Sequence, residues 1–96
     1  MGAASMATSY IRLGEKSKAM KIIDATCNES IEYLKWYESL SSRHKKIVSS
    51  DYAMHLGILQ MFVDALNEGG EPYKAETSHY KSELGKYYTS WRKRNS

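Results

Sequence analysis

The sequence predicts an all-α protein with four helices arranged as two antiparallel helical hairpins, and three observations lead to this prediction. Apolar residues recur three or four positions apart over long stretches, which keeps one face of a helix apolar. Alternation of β-branched with polar residues, the usual sign of a strand, is nearly absent. Glycines and the single proline fall between the periodic stretches, where helices end and begin. The 96 residues suffice for one domain.

The first two helices are separated by Gly14, a residue that can adopt the left-handed conformation with which many helices end. We expect residues 1–8 to be start residues and a lead-in to the first helix, and 9–96 to form the single domain. The second helix is expected to begin at residue 15 or 16 and to end near Leu40. Two serines follow Leu40 and mark its end.

A basic segment, 43–48, comes next and is expected to form a short helical turn. Ser49, Ser50 and Asp51 are all good N-cap residues, because their side-chain oxygens can accept hydrogen bonds from unpaired backbone N–H groups. The third helix is therefore expected from about Asp51 to Asn67.

Gly69 and Gly70 are expected to stop the third helix. Pro72 suits the first turn of the fourth helix, where its missing N–H costs nothing, and that helix should continue to about Arg92. The apolar stripes of the second and third helices predict a buried core. Its expected members are Ile23, Leu34, Leu56, Leu59, Phe62 and Leu66.

A weak internal repeat supports the two hairpins. Ala19 follows Gly14 by five residues, and Ala75 follows Gly70 by the same distance, so each turn is followed by a small residue that lets two helices approach closely. The segment 13–19 (LGEKSKA) resembles the turn of a tetratricopeptide repeat, although the usual Trp-Leu-Gly opening and the proline between repeats are missing. The expected fold is therefore a degenerate tetratricopeptide-like one.

A second resemblance covers about residues 9–91. The segments SYIRLGEKSKA (9–19), YLKWYESL (33–40), VSSDY (48–52) and LGILQ (56–60) resemble the C-terminal tail of a family of multi-pass membrane proteins of Bacteroidetes. The function of that family is not established, but its members are similar to protein O-mannosyltransferase-like glycosyltransferases. The resemblance implies that the transferase chemistry lies in a membrane part not included here. It also implies a tail on the periplasmic side.

The charge pattern argues against a nucleic-acid partner. The net charge is +3, and the excess is concentrated between Gly85 and Ser96, which hold four basic residues and no acid. A nucleic-acid binder is expected to spread its basic residues along a face that follows phosphates. The alternative is that the domain binds nucleic acid or a membrane surface through Lys45, Lys46 and the basic end 92–94. No apolar run is long enough to span a bilayer.

Residues that could carry catalysis or bind a metal are few and poorly spaced. The candidates are His44, His55, His79 and Cys27, and no two histidines lie four positions apart. A lone cysteine cannot form an intramolecular disulfide, and it is most often a small buried residue. We therefore expect no catalytic residue, no cofactor and no metal in this domain.

The aromatic residues suggest a binding surface. The chain has eight tyrosines and two tryptophans but one phenylalanine, and Tyr and Trp combine apolar rings with hydrogen-bonding groups. Helix packing explains most single aromatics, but part of the set is expected to be exposed. The candidate surface consists of Tyr33, Trp36, Tyr37, Tyr88 and Trp91. Its expected partner is a polypeptide or the membrane-embedded part of the same protein, and the alternative is a carbohydrate or a glycolipid headgroup.

Overall fold

The computed structural model describes residues 2–47 and 51–95, and in these ranges it is helical without any β-strand. The described part of the chain contains five α-helices and one short 3-10 turn, Glu71–Tyr73, and measures 47 × 23 × 18 Å. The helices are α1 (Ala3–Arg12), α2 (Lys16–Glu38), α3 (Ser42–Ile47), α4 (Tyr52–Glu68) and α5 (Lys74–Arg94). The all-α prediction is confirmed.

The turn at Gly14 has the geometry expected from the sequence. Gly14 has φ +75°, and Gly70 is the only other residue of the described ranges with a positive φ. The N–H of Glu15 donates to the carbonyl of Tyr10 at 2.9 Å, and the N–H of Gly14 donates to that of Ile11 at 3.1 Å. These two bonds satisfy carbonyls that the end of a helix leaves unpaired, in the pattern of a Schellman motif. A glycine is needed there because other residues rarely adopt this conformation.

The basic segment forms α3. The described residues therefore contain five α-helices, whereas the sequence predicted four. The Ser41 hydroxyl accepts a hydrogen bond from the N–H of His44 at 3.2 Å and so caps α3. Of the three expected cap residues of the next helix, Ser49 and Ser50 lie outside the described residues. Asp51 directly precedes α4 but makes no side-chain cap hydrogen bond.

The predicted core is confirmed, since each of its six residues is at most 6% exposed. The core also includes Ala7 of α1, which is fully buried. Helix α1 begins at Ala3, so residues 3–8 are helical and are more than a lead-in. Helix α4 lies at the centre of the packing and contacts α1, α2 and α5, while α1 also packs against α2.

The two glycine turns differ in how they bring helices together. Ala19 is fully buried, as the expected close approach requires, but Ala75 is exposed, so that half of the repeat prediction is wrong. The tight place at the second turn is Gly69 instead. A Cβ on Gly69 would lie 2.6 Å from Cδ2 of Tyr73 and 3.1 Å from Cγ2 of Ile11. The close contact at the second turn is therefore between Gly69 and the side chain of Tyr73.

Candidate functional site

The five aromatic residues of the candidate surface do not form one cluster. Tyr33 and Trp36 pair on α2 with ring centroids 5.5 Å apart, and Tyr33 also stacks on His55 of α4 at 4.3 Å. Tyr88 and Trp91 stack on α5 with centroids 6.0 Å apart. The periodicity of each helix does not determine how α2 and α5 lie relative to each other.

Helix α4 separates the two aromatic pairs. Ala53 lines a groove together with Tyr88 and Trp91, whereas His55 contacts Tyr33. Two positions along an α-helix correspond to a rotation of about 200°, so Ala53 and His55 lie on opposite sides of α4. The two pairs therefore lie on opposite flanks of this helix.

The exposure of the five residues also differs. Trp36 is 47% exposed and Tyr88 is 46% exposed, while Tyr33 and Trp91 are half-buried. Tyr37 is only 6% exposed, which corrects the expectation that it belongs to an exposed surface. Its hydroxyl donates to the carbonyl of Lys45 at 3.0 Å, and its ring lies edge-on against another tyrosine of the core. Tyr37 is therefore a packing residue between α2 and α3.

The aromatic pair on α5 stands at one end of a groove between α4 and α5. This α4–α5 groove has two adjoining parts, of about 450 Å³ and about 240 Å³, that share Gln60, Leu84 and Tyr88. The smaller part is mostly apolar and includes Trp91. The larger part carries the polar side chains Gln60, Asp64, Asn67, Thr77 and Lys81. An apolar region with a polar rim is the usual anatomy of a protein interface.

Two helix-interior glycines line the α4–α5 groove, Gly57 on α4 and Gly85 on α5. Glycine inside a helix is less favourable than alanine by roughly 0.5–1 kcal/mol. Neither glycine has positive φ, and a Cβ built on either would meet no atom within 4 Å. Neither close helix packing nor backbone conformation therefore requires a glycine at these positions.

A polar cluster around Glu38 lies at the C-terminal ends of α2 and α5. The carboxylate accepts a hydrogen bond from the hydroxyl of Tyr52 at 2.8 Å and pairs with Lys45 at 3.2 Å and with Arg94 at 2.9 Å. Partial burial raises the pKa of Glu38, but hydrogen bonds from Ser90, Tyr52, Lys45 and Arg94 outweigh that effect and lower the pKa to about 2. The cluster joins α2, α3, α4 and α5 by charge-assisted bonds.

Two of the remaining candidate residues, Cys27 and His55, make contacts that fit a structural role. Cys27 is fully buried, and burial followed by the nearby charge of Asp24 raises its pKa to about 12, so the thiol stays protonated at neutral pH. Nδ1 of His55 lies 3.0 Å from the hydroxyl of the buried Ser30. In residues 2–47 and 51–95, no group of three or more His, Cys, Asp or Glu side chains is arranged to hold a metal ion.

No protein-family model, no curated protein and no solved structure matches this chain. None of the described helices is both long enough and apolar enough to cross a membrane.

Proposed function

We propose that this chain is a non-catalytic helical docking domain whose α4–α5 groove binds an extended polypeptide segment. The supporting observation is that one groove combines two unconstrained glycines, Gly57 and Gly85, with the aromatic pair Tyr88 and Trp91. Glycines let another backbone approach a helix closely, and Tyr and Trp supply large contact areas with few rotatable bonds.

The polar rim favours a polypeptide over a purely apolar ligand. A bound backbone presents N–H and C=O groups that must be paired when they lose water. Gln60 and Asn67 carry both donors and acceptors along the larger part of the groove, and the Thr77 hydroxyl, which donates to the carbonyl of Tyr73, can accept a hydrogen bond. The amide of Gln60 donates to Asp64 at 2.8 Å, which holds these two rim side chains in place.

We also propose that the helices form two antiparallel hairpins, α1–α2 and α4–α5, in a degenerate tetratricopeptide-like arrangement. We further propose an accessory tail of a multi-pass, glycosyltransferase-like membrane protein, located in the periplasm. In that setting the groove binds either an acceptor polypeptide or a loop of the membrane-embedded body. The Schellman turn at Gly14 and the buried Ala19 support the first hairpin.

Peptide selection tests the docking proposal. Random twelve-residue peptides displayed on phage are selected on the full chain, and the selected peptides are synthesised and titrated by amide-resolved NMR. We expect shifts to centre on Gly57, Gly85 and Tyr88. Replacing Tyr88 by alanine should weaken binding about tenfold, since a buried aromatic anchor often contributes this much to an interface.

Trp36→Ala is the matched control for Tyr88→Ala. Trp36 is 47% exposed, nearly the same fraction as Tyr88, but it lies on the other flank of α4. We expect Trp36→Ala to leave peptide affinity unchanged. Shifts centred on Trp36, or equal losses in the two variants, would contradict the assignment of the groove.

A carbohydrate remains the second candidate because hydrogen-bonding side chains lie beside an exposed ring. Gln60, Asp64 and Asn67 line the same part of the groove as Tyr88, and sugars bind where an aromatic face is flanked by such groups. Mannotriose, maltotriose and chitotriose are titrated under the same conditions. A saturable shift at Tyr88 with one of these sugars, and none with peptides, would favour the carbohydrate.

A further inference from the structure

A second groove of the described molecule is basic. This basic groove, about 550 Å³ in volume, lies between α3 and the C-terminal end of α5 and contains no acidic side chain in its lining. Its cations come from two distant parts of the sequence and are Lys45, Lys46, Lys93 and Arg94. Ser42, Ser90 and Asn95 add neutral hydrogen-bonding groups. Arg92 lies elsewhere, over the ring of Tyr88.

One carboxylate offsets part of this charge. Glu38 pairs with Lys45 and Arg94, as described above. In the described part of the chain, Lys46 has no ion-pair partner. Lys46 is therefore available to pair with an anionic ligand.

The arginine of the basic groove is fixed before any ligand arrives. Nη1 of Arg94 donates to Glu38 at 2.9 Å and to the Ser90 hydroxyl at 2.8 Å. The guanidinium also lies over the rings of Tyr52, at 4.6 Å, and Tyr37, at 5.1 Å. Both of these hydrogen bonds use Nη1, and a guanidinium carries five N–H donors in all. A pre-ordered arginine loses little entropy when it binds.

We infer that the basic groove binds a phosphate group carrying two or more negative charges, as in a phosphomonoester or a pyrophosphate. A guanidinium and ammonium groups converge there with hydroxyl and amide donors, a combination that suits the several oxygens of a phosphate. The volume of about 550 Å³ is in the range of small-ligand sites. The four cations line a single groove, which suits one compact anionic group.

The source of that phosphate is either a free metabolite or a lipid headgroup, and the experiment separates the two. The full chain is titrated with inorganic pyrophosphate by amide-resolved NMR at two salt concentrations. Flotation with vesicles of phosphatidylcholine, with and without phosphatidic acid, is measured with and without pyrophosphate. The variants are Lys46→Ala and its matched control Lys21→Ala, because Lys21 is an exposed lysine of α2 outside the groove.

We expect saturable shifts at Lys45, Lys46 and Arg94, an affinity that falls with added salt, and a loss of about tenfold for Lys46→Ala alone. Vesicle binding that requires phosphatidic acid and is displaced by pyrophosphate assigns a lipid headgroup. Pyrophosphate binding without vesicle binding assigns a free phosphate compound. The inference is overturned if pyrophosphate gives no saturable shift, or if Lys21→Ala weakens binding as much as Lys46→Ala. Neither of the two outcomes that would overturn this inference would change the peptide binding expected in the α4–α5 groove.

Discussion

Arg94, in the last turn of α5, donates a hydrogen bond to Glu38, in the last turn of α2, at 2.9 Å. The two residues lie 56 positions apart, and their bond joins the ends of the two longest helices. Because Tyr52 and Lys45 contact the same carboxylate, this single acid links four helices. The end of the molecule that carries the basic groove therefore depends on the ionised form of Glu38.

Acid should weaken this end of the molecule. The pKa of Glu38 is lowered from 4.5 to about 2 by folding, so its contribution to the free energy of unfolding is complete above pH 4.5 and is lost as the pH falls toward 2. We expect Glu38→Gln to remove about 1 kcal/mol at pH 7 after allowance for solvent screening, and less at pH 2. Urea denaturation at several pH values measures both. The exposed Glu29 provides the control variant, Glu29→Gln, and an equal effect of the two would contradict the assignment.

Leu59→Ala tests the centre of the core. Leu59 is fully buried in α4, and truncating a buried leucine to alanine costs roughly 2–5 kcal/mol through lost transfer energy and the cavity left behind. Leu13→Ala is the control because Leu13 is 71% exposed, and surface changes are usually within about 0.5 kcal/mol. Urea denaturation of both variants should separate them clearly. A loss below about 1 kcal/mol for Leu59→Ala would mean that α4 presents a different face to the core.

The core was predictable because periodicity is a local property of the sequence. Leu59 and its apolar neighbours recur at helical spacing, and a helix with such a stripe must bury it. The turn at Gly14 was predictable for the same reason, since its conformation depends on a few adjacent residues. Ala75 shows where this reasoning fails. Whether a small residue contacts a neighbour depends on how two helices cross, and at the second turn the close contact is between Gly69 and Tyr73.

Two tyrosine-to-phenylalanine changes should differ in their effect on stability, because only one of the two hydroxyls has a hydrogen-bond partner among the described residues. The hydroxyl of Tyr73 is buried and has no hydrogen-bond partner among the described residues, so removing it should be neutral or stabilising by up to about 1 kcal/mol. The hydroxyl of Tyr80 donates to Asp24, and burial followed by this bond raises the pKa of Tyr80. Tyr80→Phe should therefore cost about 0.5–1.5 kcal/mol or slightly more, because Asp24 is charged. Thermal unfolding compares both variants with the parent, and the same sign of change in both would contradict this interpretation.

The binding surface was predictable only in part. Composition singled out tyrosine and tryptophan, and two of the five candidates, Trp36 and Tyr88, are strongly exposed. Periodicity could not separate the two flanks of α4, because that requires the positions of α2 and α5 around it. Gly57 and Gly85 could have been identified from the sequence, because a glycine inside a helical pattern often serves packing or function.

The glycines of the α4–α5 groove give the last prediction, in which stability and binding change in opposite directions. A methyl group at Gly57 or Gly85 meets open space and improves helix propensity, so Gly57→Ala and Gly85→Ala should each stabilise the protein by roughly 0.5–1 kcal/mol. If a peptide backbone approaches these positions, the same methyl groups should weaken peptide binding several-fold. Thermal unfolding and peptide titration are measured on the same samples. Gly69→Ala is the contrasting variant, because its Cβ would lie 2.6 Å from Tyr73, and it should lose stability. Gly57→Ala and Gly85→Ala variants that gain stability and bind peptides as well as the parent would show that no ligand approaches the glycines.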